Sequence, residues 1–238
     1  MKVIGNTGAA AFAIRGTAWP SGNTYTTCLF VVLLLPNMKT RDPITTLQAF
    51  RDHGGMLRTR DLAALGVHTD TLYALRDNGQ VIELGRGLYR LADAGESEYP
   101  DLAVVAANAP NAAVCLISAL SYHGITTQIP ASVHLAVPRG GNHHLKLSVP
   151  VTVHRFDPRT FDEGLETHHV AGRPIRIYNA ARTVADCFKF RNKLGLDVAI
   201  EALRLARQRK HVQNRELLHY ARLLRVGTPM SSYLQAIE

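Results

Sequence analysis

Between Pro43 and Leu91 the chain is divided by Gly54-Gly55, Gly66, Asn78-Gly79 and Gly85-Arg86-Gly87 into pieces that hold only small elements joined by tight turns. Glycine and Asn-Gly supply the left-handed backbone that ends a helix or closes a hairpin. Apolar spacing identifies each piece. Pro43 suits a first helical position, and Ile44, Leu47 and Phe50 recur at helical spacing. Thr59 reads as the N-cap of RDLAAL, with Asp61 in the first turn, where the helix dipole favours an acid, and Leu62 and Leu65 inward. After the Gly66-Val67 turn, a second short helix is predicted from about Thr69 to Asp77 with Leu72 and Leu75 inward. Val81 to Leu84 and Leu88 to Leu91 then read as two strands of a hairpin. Two short helices across a glycine turn make a helix-turn-helix, and the hairpin that follows adds a wing.

The inward leucines decide which side chains of the second helix face outward: His68, Thr69, Asp70, Thr71, Tyr73 and Arg76. A helix in this position enters a major groove in DNA-binding winged helices. His68, Thr69, Thr71 and Tyr73 are placed to reach base edges, and Arg76 base or backbone. Arg58, Arg60 and the wing residue Arg86 suit phosphate or minor-groove contacts, which give affinity without sequence. Asp70 opposes close approach to phosphate unless it accepts from a cytosine amine. The alternative for such a face is protein interaction, since other winged helices serve that purpose.

The flanks differ in kind. Residues 1–37 hold two charges, Lys2 and Arg15, and no acid, and regular patterning begins only after Met38. This poorly patterned segment is read as an N-terminal extension, either preceding a true translation start at Met38 or a genuine N-terminal arm. Residues 38–92 form the expected winged helix, and residues 93–101 an acidic linker with four acids and no base. Residues 102–238 then run through apolar helices, about four strands between Val133 and Tyr178, and further helices from Asn179 onward. That order predicts an α+β (mixed α/β) protein, an N-terminal winged helix followed by an α/β domain with a small sheet and C-terminal helices.

Specific stretches add a resemblance. GMLRTRDLAALGV and RGLYRL, followed by CLISALSYHGITTQIPASVHLAVPRG and YNAARTVADCFKFRNKLGLDVAIEAL, resemble the AbiEi family of antitoxins over about Thr40 to Arg207. The resemblance implies a transcriptional autorepressor of a type IV toxin–antitoxin operon. Its winged helix would bind inverted repeats in operator DNA, and its C-terminal domain would help counteract a nucleotidyltransferase-type toxin without requiring a stable complex. A stand-alone regulator with no toxin neighbour is a variant of the same reading. Relatives of the N-terminal half are fused to Vsr-like nuclease domains, but no Glu-x-Lys triplet occurs here to help hold a catalytic ion. No enzymatic activity is expected.

Nothing predicts a cofactor or metal. Three cysteines, Cys28, Cys115 and Cys187, stand far apart, which excludes a disulfide framework or a Cys-based zinc module and fits a reducing cytoplasm. Adjacent histidines on a strand point to opposite faces, so neither His143-His144 nor His168-His169 forms a chelating pair by itself. The longest apolar run, Cys28 to Leu35, is far short of the roughly 20 residues that span a bilayer. The net charge of +8 favours polyanionic partners. Its distribution is uneven: residues 38–92 carry eight Lys/Arg against six Asp/Glu, whereas residues 102–238 carry seventeen against nine. Arg204, Arg207, Arg209 and Lys210, the first two one turn apart on a helix, are read either as a second nucleic-acid surface or as an ordinary solvated face.

Overall fold

The computed structural model describes residues 40–95, 97–140, 145 and 147–236. The extension 1–37, the turn residues Gly141 and Asn142, and His143-His144 lie outside the described residues. Lys39–Glu238 cluster as one compact unit.

Helix α1 (Pro43–Asp52) has Pro43 in its first turn and Asp42 as N-cap, the carboxylate accepting from the Ile44 and Thr45 N–H groups. Strand β1 (Met56–Arg58), helices α2 (Thr59–Ala64) and α3 (Thr69–Asp77), and strands β2 (Val81–Gly85) and β3 (Leu88–Leu91) follow. Phe50, Leu57, Leu62, Leu72, Leu75 and Tyr89 are among the buried side chains of this small core. Three details differ from expectation. Leu65, expected inward, is 44% exposed at the end of α2. Arg58, not Thr59, holds the N-cap position of α2. Met56–Arg58 is a strand that pairs antiparallel with β3, giving a three-stranded sheet ordered β1-β3-β2. Three residues are too few to display a strand period, and β3 lies some thirty residues onward in sequence.

The rest of the chain comprises α4 (Pro100–Asn108), β4 (Ala113–Val114), α5 (Leu116–Tyr122), β5 (Val133–Pro138), β6 (Val151–Phe156), β7 (Leu165–Val170) and β8 (Arg173–Tyr178). Helices α6 (Ala180–Lys189), α7 (Arg191–Leu194), α8 (Leu196–Lys210), α9 (Asn214–Leu223) and α10 (Gly227–Ala236) complete it. Asn179 caps α6 as its sequence predicts, accepting from the Arg182 N–H at 2.8 Å. The sheet is mixed and ordered β6-β5-β4-β8-β7, with β4 at its centre.

Alternation along the strands buries both faces of that sheet. Ala113, Ala136 and Tyr178 pack into a core shared with α6, α8 and α9. Their neighbours Val114, Leu135, Val137, Ile175 and Ile177 pack on the other side with the apolar helix α4. Met56 and Leu88, both 1% exposed, belong to this second core although they come from the winged helix. The winged helix is thus part of the cover of the sheet. At the seam a Cβ on Gly54 would stand 2.8 Å from the Gly172 Cα, and both glycines have positive φ, 75° and 71°.

On the opposite face, Arg182 is fully buried, and its Nε donates to Asp186 Oδ2 at 3.0 Å across one helical turn. Its Nη1 donates to the carbonyls of Thr160 and Glu163, each at 2.8 Å, tying the β6–β7 connection to α6. The guanidinium lies 4.8 Å over the Tyr178 ring. Cys187, next to Asp186 on α6, is a buried core residue.

Two stability predictions follow from these contacts. Arg182→Met leaves Asp186 buried without its cation and should cost about 3–5 kcal/mol in urea unfolding, with Arg182→Met/Asp186→Leu less damaging than the single change. Gly172→Ala sets a methyl group against backbone in a left-handed conformation and should cost about 1–3 kcal/mol. A wild-type midpoint for Gly172→Ala would show that the seam is not closed this tightly.

Candidate nucleic-acid interface

Helix α3 presents its outer side as its leucine spacing requires, with one exception. Thr69 and Asp70 are exposed, and Tyr73 is 42% exposed. His68 is half-buried at the N-cap, where Nδ1 accepts from the Asp70 N–H at 3.2 Å. The ring is thereby committed to holding the start of α3. Thr71 corrects the expectation: at 6% exposure it faces inward, because it falls next to Leu72 on the buried stripe.

Arg76 joins the helix to the wing. Its guanidinium donates to Asp77 Oδ1 from Nε (3.0 Å) and Nη2 (2.9 Å), lies 3.9 Å from Glu83 on β2, and sits 4.9 Å over the Tyr73 ring. A base or phosphate would therefore compete with two carboxylates for this arginine. Arg86 is exposed in the turn between β2 and β3. The base of the same turn is anchored, since the Gly87 carbonyl accepts from the Thr59 N–H at 2.9 Å. Thr59 is half-buried in this role.

Arg58 separates from that group. Arg58 Nη1 donates to the Ala107 carbonyl at the end of α4, at 3.2 Å, so this side chain is part of the seam. Desolvation there, with Arg60 and Arg173 nearby, lowers its pKa. Arg60 is exposed and rests 3.4 Å from Asp61. The structure thus gathers Thr69, Tyr73, Arg76 and Arg86 on α3 and the wing, with His68 and Thr59 as supports.

The seam itself holds residues that sequence reading passed over. Arg173 Nη2 donates to Asp61 Oδ2 at 2.8 Å and to the Met56 carbonyl at 3.1 Å. Burial opposes the charge on Asp61, but the Arg173 hydrogen bond, the Arg58 backbone N–H and the nearby Arg173 and Arg60 charges hold its pKa below the ordinary carboxylate value. Asp61 was legible only as a helix-start acid; its partner lies 112 residues away.

Of the candidate second basic surface, Arg204 and Lys210 are exposed. Arg207 is half-buried and bonded to Asn214, and Arg209 donates to the Gly124 carbonyl at 2.9 Å. Two of the four cations therefore bind other parts of the fold.

Residues 45–92, which carry α2, α3 and the wing, match the family model described as "Transcriptional regulator, AbiEi antitoxin". No curated protein sequence matches the chain. Among solved structures, the crystal structure of the RV2827C protein from Mycobacterium tuberculosis superposes with a TM-score of 0.51 at 15% identity, covering 74% of this chain and 69% of that one. That likeness is one of fold. No helix among the described residues is long and apolar enough to cross a membrane.

The Asp61–Arg173 tie predicts an acid-sensitive seam. Because the folded-state pKa of Asp61 is depressed, the stability it lends is complete above the unfolded value of about 4 and is lost as pH falls through the folded one. Asp61→Asn should cost about 1–2 kcal/mol in urea melts near neutral pH. The gap from wild type should close as pH falls well below the ordinary carboxylate range, and an equal cost there and near neutral pH would contradict the tie.

Proposed function

We propose that this protein is a sequence-specific DNA-binding antitoxin that represses its own operon and counteracts a nucleotidyltransferase-type toxin. The observation that carries the reading is the exposed face of α3 beside a wing tipped by Arg86, inside the segment that matches the AbiEi regulator model. In this reading α3 enters the major groove of an operator with Thr69 and Tyr73 toward the bases, while Arg86 takes a phosphate or the minor groove. Arg76 exchanges its bonds to Asp77 and Glu83 for a contact to DNA. Inverted repeats in the operator would present one half-site to each winged helix.

The protein acts here by binding rather than catalysis and works in the cytoplasm. Exposed Arg204 and Lys210 add to the positive field of the C-terminal part, which supplies the antitoxin activity. The toxin is a functional partner that need not be held in a stable complex.

A second reading is favoured by one observation. Asp70 and Asp77 place two carboxylates on or beside the outer side of α3, and Arg76 is already paired. Such a face also suits a basic surface on another protein.

Fluorescence anisotropy with the promoter fragment upstream of the protein's own gene separates the two. Arg86→Ala with Tyr73→Ala should weaken binding by well over tenfold while the thermal midpoint stays near wild type, since each good contact is worth about 1–3 kcal/mol. Promoter affinity unchanged in that variant would remove α3 and the wing from DNA recognition and leave the protein-binding reading.

A further inference from the structure

Away from the winged helix, the C-terminal end of β6 and the 3-10 turn after it (Pro158–Thr160) meet the end of α6 and the start of α7 around a cavity of about 790 Å³. Arg139, Arg155, Lys189 and Lys193 line it, all four exposed and none ion-paired among the described residues. The rim acid Asp157 is already neutralised: Arg159 grips both its oxygens at 3.2 and 2.9 Å and brings its pKa down to about 2. The rim therefore carries a surplus of unspent positive charge.

The floor is the Arg182–Asp186 pair, which makes only one of the two bonds a guanidinium and a carboxylate can share. Arg182 Nη2 and Asp186 Oδ1 are buried with no hydrogen-bond partner. An unpartnered donor and acceptor on groups 0% and 1% exposed are costly unless something else completes them. The wall is aromatic. The half-buried Phe190 stacks on Phe156 at 5.5 Å, and His154 meets its edge at 5.5 Å. Burial, with His134 and Lys193 nearby, pushes the His154 pKa down to about 4, so this ring is a neutral surface near pH 7.

We propose that this cavity binds a nucleoside phosphate, with its phosphates on Lys189, Lys193, Arg139 and Arg155, its base against Phe190, and a base edge completing Arg182 Nη2 and Asp186 Oδ1. Each part matches one piece of the ligand. Lysine and arginine hold phosphate oxygens by charge-assisted hydrogen bonds. An aromatic wall takes a planar heterocycle, and a donor beside an acceptor fits the polar edge of a nucleobase. The volume falls within the roughly 300–1,000 Å³ of small-molecule sites. A duplex backbone wants a strip of cations on an open surface, whereas these four surround a recess.

Isothermal titration of the full chain with ATP and GTP, inorganic tripolyphosphate and a duplex lacking the operator tests the assignment. At least one nucleoside triphosphate should bind saturably, and about tenfold or more tightly than tripolyphosphate, because only the nucleotide reaches the floor. Lys189→Glu with Lys193→Glu should weaken that binding by more than about tenfold, since both side chains are exposed and their reversal leaves the core intact. A thermal midpoint and operator affinity near wild type in the same variant would place the loss in the cavity, independent of the winged helix. The proposal is overturned if neither nucleotide saturates at millimolar concentration, or if the double variant binds nucleotide as wild type does. Tripolyphosphate binding as tightly as nucleotide also overturns it, as does a loss confined to the non-operator duplex.

Discussion

The protein is organised by a five-stranded sheet whose three central strands, β4, β5 and β8, are apolar on both faces. Ala113, Ala136 and Tyr178 point one way along β4, β5 and β8, while Val114, Leu135 and Ile177 point the other, so each face needs its own cover. Helices α6, α8 and α9 cover the first. The second is covered by α4 together with Met56 and Leu88, two side chains that a free-standing winged helix would leave in water. Burying apolar area at about 25 cal/mol per Å² makes that shared core the main force holding the winged helix in place. The Gly54–Gly172 approach and the Arg173–Asp61 bond then set where it sits. The consequence for function is orientation: α3, packed on α1 and β2, and the exposed Arg86 turn belong to a winged helix that is itself fixed to the sheet. A DNA duplex on α3 would meet the whole protein as one object.

Two buried or half-buried arginines show how the fold handles charge in such a place. Arg173 spends its hydrogen bonds on the Met56 carbonyl and Asp61, completing polar groups that the seam would otherwise strand. Arg182 does the same for the Thr160 and Glu163 carbonyls, but it and Asp186 keep one donor and one acceptor unused. Desolvation raises the Asp186 pKa to about 6 in spite of its cation. This pair is costly, and both residues lie at the floor of a recess rimmed with cations. In that sense the sheet has a structural arginine on one side and one with capacity to spare on the other.

Local chemistry made much of the fold readable in advance. Leu72 and Leu75 gave the inward stripe of α3, Asn179 the start of α6, and Gly85-Arg86-Gly87 the wing turn. What escaped reading depends on distant partners. β1 is three residues long and exists because β3 pairs with it. β4 lies outside the strands expected between Val133 and Tyr178, since two apolar residues carry no period of their own; its partners β5 and β8 define it. Among site residues, Thr71 was misplaced because a stripe drawn from leucines alone is narrower than the face the helix buries. Arg58 looked like a phosphate contact from composition, yet the Ala107 carbonyl, 49 residues away, claims it. The Arg182–Asp186 ion pair on α6 was not read from the sequence, and its complete burial rests on packing partners from distant parts of the chain.

Electrostatics sharpen the functional account. The winged helix is only modestly basic, and α3 carries Asp70 and Asp77 beside its single arginine. The larger positive surplus belongs to residues 102–238. An operator complex that engages α3, the wing and part of the C-terminal body would neutralise several phosphates at once and release their counterions. The most direct test is therefore the salt dependence of operator affinity for the full chain. If the protein binds duplex DNA as proposed, log affinity should fall linearly with log salt, with a slope of about −0.9 for each phosphate neutralised and several phosphates in total. A flat response, or no binding to the promoter at low salt, would contradict the central claim.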